Sequence, residues 1–88
     1  MLEPVYTNRF KKDLKRVKRR KKDTGKLKAV MLELGRDMGL DPQYQDHKLG
    51  GRWAGRRECH IEPDWLLIYK IDVQYIIFER TGSHADLF

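Results

Sequence analysis

The chain is 88 residues long, with 19 lysines and arginines against 13 acidic side chains, three histidines and a net charge of +6. At 40% hydrophobic and 36% charged residues it can build one modest core in a single domain over residues 1–88. One cysteine excludes an internal disulfide, and the longest apolar run, Trp65 to Tyr69, is far too short to cross a bilayer.

The opening "MLEPVYTNRF" has no apolar stretch resembling a secretion signal, so a cytoplasmic, soluble, basic domain is expected. Val5 to Thr7 reads as a short first strand. From Asn8 the period becomes helical, with Phe10, Leu14 and Val17 on one stripe and Thr7 or Asn8 as the N-cap. "KKDTG" is a break, where Gly25 ends one helical segment or Thr24 starts the next. Leu27, Val30, Met31, Leu34 and Met38 then form a second stripe. Neither stripe is wide enough to make a core alone, so both helices must pack on something else.

"GLDPQYQDH" is a polar loop, after which β patterns take over. "KLGGRW" reads as a weak strand containing glycine, and Ala54-Gly55 as a tight turn. "RRECHIE" alternates, placing Cys59 and Ile61 on one face and Glu58 and His60 on the other. "EPD" is a corner at Pro63. "WLLIYKI" and "YIIFERT" are strands joined by "DVQ", and "GSHADLF" is one helical turn capped by Ser83. The sum is an α+β domain in which two antiparallel helices pack on a four- to five-stranded antiparallel sheet.

In an up-down meander, alternate connections share a rim. His47 before the first strand, His60 and Asp64 at the corner, and Arg80 and His84 after the last strand should converge there. Histidine serves as acid or base near neutral pH, a carboxylate orients it or takes a proton itself, and arginine offers a planar charged fork to phosphate. Two acid-base groups and an arginine suffice to cut RNA without metal through its 2′-hydroxyl, and would leave DNA intact.

Plainer roles compete for each residue. His60 also reads as a solvent-facing strand histidine, Asp64 as a turn former, and Arg80 as a surface partner of Glu79, Glu58 or Glu62. The spacing of the three histidines and Asp64 matches no compact metal signature, so no metal or cofactor is expected. Cys59 faces the core. Trp65 and Phe88 are either core aromatics or platforms for a base.

Twelve of the 19 basic residues fall between Arg9 and Lys28. Lys11, Lys12, Lys15, Lys18, Arg19 and Lys22 lie away from the apolar stripe of the first helix. So dense a run of like charge exceeds what solubility requires and suits the phosphates of RNA, with binding that weakens as salt rises. The stripe is too thin, and lacks the tryptophan, for a membrane helix.

"YQDHKLGGRWAGRRECHIEPDWLLIYKI" and "FERTGSHADLF" closely resemble the YafQ branch of the RelE/ParE toxin superfamily, bacterial type II toxins. The resemblance runs over nearly the whole chain and implies a RelE-like microbial ribonuclease fold. It implies a ribosome-dependent endoribonuclease, an mRNA interferase cutting the codon in the A site. His47, His60, Asp64 and His84 would share the acid-base roles, with His84 as general acid and the base left open. Arg80 would contact the scissile phosphate, and Trp65 and Phe88 would position the nucleotide. The partner implied is a small acidic antitoxin of the ribbon-helix-helix type, DinJ-like, through which alone operator DNA would be met. The rivals are a ParE-type toxin directed at DNA gyrase, which needs no acid-base set, and a catalytically silent RNA-binding module.

Overall fold

The computed structural model describes every residue except Met38, so that part of the second stripe lies outside the described residues. Strand β1 (Glu3–Tyr6) leads into helix α1 (Asn8–Arg19), followed by α2 (Thr24–Gly35). Thr7 caps α1 by accepting the Phe10 N–H, and Asp23 caps α2 by accepting that of Gly25. After a 3₁₀ turn at Pro42–Tyr44 come β2 (His47–Lys48), β3 (Arg57–Glu62), β4 (Trp65–Asp72), β5 (Tyr75–Gly82) and the short helix α3 (His84–Leu87). Among the described residues, no helix is long and apolar enough to span a membrane.

The five strands form one sheet in the order β1-β5-β4-β3-β2. Strands β2 to β5 are the antiparallel meander that the alternation implied. Strand β1 departs from it by pairing parallel to β5. The helices and the following loop carry the chain to the far edge before β2 begins, which leaves the free edge of β5 to the first strand. The expected "KLGGRW" strand is also shorter. Only His47 and Lys48 pair, and Gly51–Trp53 forms a 3₁₀ turn, because Gly51 takes a φ of +60° that ends extended structure.

The stripes of α1 and α2 meet Cys59, Ile61, Trp65, Leu67, Tyr69, Ile76 and Phe78 in the main core. The other face buries Leu66 and Ile68 beneath Leu87 of α3, with Leu49 and Trp53 alongside. Strand β4 is thus covered on both sides, which explains its unbroken apolar run.

Candidate active site

The strand pairing gathers the histidines on the sheet face opposite the helices. His47 lies directly across from Glu58 in the β2–β3 pair, and His60 stands two residues further along β3 on the same face. The His47 and His60 rings are 6.1 Å apart between centroids, and those of His60 and His84 are 6.0 Å apart. Phe88 continues the line 6.4 Å from His84 and meets Trp53 edge-on at 6.3 Å. Three histidines and an aromatic ring form one strip from the sheet edge to α3.

Each imidazole turns its Nδ1 toward an oxygen of the protein. His47 Nδ1 lies 2.7 Å from the Gln45 carbonyl, His60 Nδ1 3.3 Å from the Pro63 carbonyl, and His84 Nδ1 2.7 Å from Asp64 Oδ1. Carbonyl and carboxylate oxygens only accept, so these bonds form with the proton on Nδ1, which leaves Nε2 to other partners. For His60 and His84 that nitrogen has no partner among the described residues. His47 Nε2 instead lies 3.3 Å from Oε2 of Glu58, a carboxylate only 5% exposed.

Asp64 binds its histidine twice, since Oδ1 also accepts the His84 backbone N–H at 2.9 Å. That backbone bond first, and the imidazole second, hold the Asp64 carboxyl below the usual carboxylate range. Asp46 anchors the segment before His47 by accepting from the Tyr69 hydroxyl at 2.7 Å and from Arg57 Nε at 3.1 Å. Burial pushes the Cys59 thiol up to about 12, so it stays a neutral core side chain and no nucleophile.

Three expected site residues are engaged with other protein groups. Trp65 is 1% exposed, with its Nε1–H donating to Thr81 Oγ1 at 3.0 Å, and packs in the core. Arg80 donates from Nε and Nη2 to the two oxygens of Asp13 at 2.7 and 3.0 Å, and its side chain is 11% exposed. Asp13, buried under α1, would otherwise be an uncompensated charge, so the Arg80 fork is held in a structural pair here. Lys22 bonds Glu62 at 3.1 Å and lies 6.0 Å above the Trp65 ring. Lys11, Lys12, Lys15, Lys18 and Arg19 are exposed, as a basic surface requires.

Glu58, Asp13 and Asp86 had no functional part in the sequence expectations. The first was within reach, because it alternates with His60 on one strand face. Asp13 stands three residues after Phe10 on the apolar side of a helix otherwise rich in lysine, where a lone acid signals a buried pair.

The Asp64 and Asp86 carboxyls are both held below their ordinary range, Asp86 first by Arg20. Groups depressed on folding stabilise above the unfolded value, near pH 4, and lose that contribution as pH falls through the folded one. We expect α3 to stay docked down to about pH 4 and to detach below it, followed by amide exchange at Asp86 and Leu87. Release already at pH 5 would refute this reading.

A basic α+β domain with a histidine strip on its open face defines a class, and the comparisons with known proteins give it a name: bacterial toxins of type II toxin-antitoxin systems. Within that class the chain belongs to the YafQ family, whose model matches residues 2–88. It is 46% identical over 84 residues to the mRNA interferase toxin YafQ of Escherichia coli strain K12, covering 94% of this chain and 91% of that one. The toxin in a crystal structure of the Escherichia coli DinJ-YafQ toxin-antitoxin complex superposes with a TM-score of 0.91 at 44% identity, covering 99% of this chain and 97% of that one. A copper-bound mutant toxin from Helicobacter pylori superposes with a TM-score of 0.95 at 41% identity, over 100% of both chains. Here, among the described residues, no three histidine, cysteine or acidic side chains are arranged to hold a metal ion.

Proposed function

We propose that this protein is an endoribonuclease that cuts mRNA in the ribosomal A site by acid-base chemistry, restrained by an acidic DinJ-like antitoxin. The observation carrying this reading is the Asp64–His84 pair facing His60 across 6.0 Å between rings. The 2′-hydroxyl attacks the adjacent phosphorus as His60 Nε2 takes its proton. The P–5′-O bond breaks as His84, protonated at Nε2 and held through Nδ1 by Asp64, gives its proton to the departing oxygen. The products are a 2′,3′-cyclic phosphate and a 5′-hydroxyl. The imidazolium formed on His60 sits beside the phosphorane and offsets its charge. Asp64, already bonded to His84, is the orienting group in this scheme, which leaves the base to His60, with His47 behind it. Phe88, exposed at the end of the strip, offers a face on which a base can stack.

The exposed lysines of α1 face the polyanion. They suit ribosomal RNA when the protein is free and an acidic antitoxin when it is restrained. Both associations should weaken steeply as salt rises.

The deciding experiment incubates the protein with mRNA on ribosomes holding an open A site, beside the same mRNA alone, with cleavage mapped by primer extension. Codon-phased cuts only on ribosomes are expected. Dialysis against a transition-metal chelator, with magnesium retained for the ribosome, should leave the rate unchanged. Intact message in every lane from folded protein would end the nuclease reading and turn attention to gyrase. A rate lost on chelation and restored by one metal would overturn metal independence.

A further inference from the structure

The Asp64–His84 pair is surprisingly unprotected for a working dyad, with side chains 68% and 55% exposed. Exposed pairs of this kind fix geometry poorly by themselves. Helix α3, which carries His84, has only four residues and cannot hold its own shape in water. Something else must fix it, and the structure shows what. Asp86 folds back over Gly82 so that its Oδ2 accepts the Ser83 N–H at 2.9 Å, while Ser83 Oγ accepts the Asp86 N–H at 3.2 Å. The same carboxylate receives both arms of Arg20 from the end of α1, Nη1 at 2.6 Å and Nη2 at 3.1 Å. Arg16 stands behind them, its Nε 3.8 Å from Asp86 Oδ2 and its Nη2 bonded to Asp13 at 2.7 Å.

Gly82 makes room for this arrangement. A Cβ there would lie 2.9 Å from Asp86 Oδ2 and 3.0 Å from its Cβ. The carboxylate stays ionised well below neutral pH, held first by the Arg20 bond.

We propose that Asp86, latched to Arg20, is a positioning residue for His84, fixing α3 so that the imidazole keeps its bond to Asp64 and presents Nε2 to the scissile bond. Arg20 thereby leaves the set of phosphate-binding cations, although it lies in the basic run. Its guanidinium links the RNA-facing helix to the proton donor.

This inference rests on the nuclease reading for its kinetic readout, and a second readout is independent of it. Arg20→Met and Asp86→Asn change the charge in opposite directions, and asparagine keeps an acceptor for the Ser83 N–H. Saturating programmed ribosomes should show kcat reduced about tenfold or more in both variants. The double variant should be no slower than either single one, because both break the same link. The apparent KM for ribosomes should not rise in Asp86→Asn. In parallel, ring nitrogen spectra should show the His84 Nδ1–H form of the folded parent giving way to mixed tautomers in both variants, with backbone spectra otherwise retained. If Arg20→Met raises only KM, and Asp86→Asn keeps the parental kcat, Arg20 is a phosphate contact and the proposal fails. It also fails if His84 keeps its tautomer in both variants. Should the parent protein cleave nothing, the nuclease reading falls, and the ring spectra alone decide the latch.

Discussion

His84→Ala should slow cleavage of ribosome-bound mRNA by about 10²- to 10⁴-fold under single-turnover conditions, the range that one positioned proton-transfer group supplies. The lower limit corresponds to about 2.7 kcal/mol of transition-state stabilisation. His84 is more than half exposed and contributes no apolar burial, so the variant should melt with the parent and bind ribosomes as tightly. That separation makes the result informative. Loss of rate without loss of binding assigns the residue to the transition state. Asp64→Ala acts one step back, through the orientation of the ring, and should cost less, about tenfold. Rapid-quench cleavage assays with binding measured separately would check both. A His84→Ala protein within a few-fold of the parental rate would remove it from the proton-donor role.

The largest effect on stability should come from Asp13→Ala. Asp13 is 3% exposed and accepts from Arg16, from two nitrogens of Arg80 and from the Thr81 backbone N–H at 3.2 Å. Its removal leaves the largely buried Arg80 guanidinium without its counter-charge, a defect that typically costs about 3–5 kcal/mol. Domains of this size have total stabilities of about 5–15 kcal/mol, so the melting temperature should drop by roughly 15 °C or more. The double variant Asp13→Leu/Arg80→Met removes both charges and should recover part of the loss, since the penalty belongs to the unpaired partner. Calorimetry on the three proteins would test this. A drop below about 1 kcal/mol for Asp13→Ala would show that water reaches the pair.

The local patterns that carry the fold could be read from the sequence. The alternation in "RECHIE" correctly separates Cys59 from His60, and the stripe of Phe10, Leu14 and Val17 faces the core as its spacing requires. His47, His60, Asp64 and His84 converge on one face because strand order and hairpin geometry follow from short-range signals. Contacts fixed by distant residues could not be read this way. Arg80 looks free until Asp13, 67 positions earlier, is seen beneath it. Trp65 could have been a platform or a core ring until Thr81 offered its indole a hydroxyl. "KLGGRW" has strand-like residues at its ends, but the left-handed Gly51 turns the chain in the middle.

The sheet order bears on the protein's own manufacture. Strand β1 is synthesised well before β5, the strand it pairs with, and His84 lies beyond β5 in the chain. A growing polypeptide therefore carries its cationic helix long before it has a complete sheet or the histidine proposed as proton donor. No length of this chain that stops short of β5 has all five strands or His84. For a protein whose proposed target is the machine that makes it, the proposed proton donor is added only after synthesis has passed the final strand.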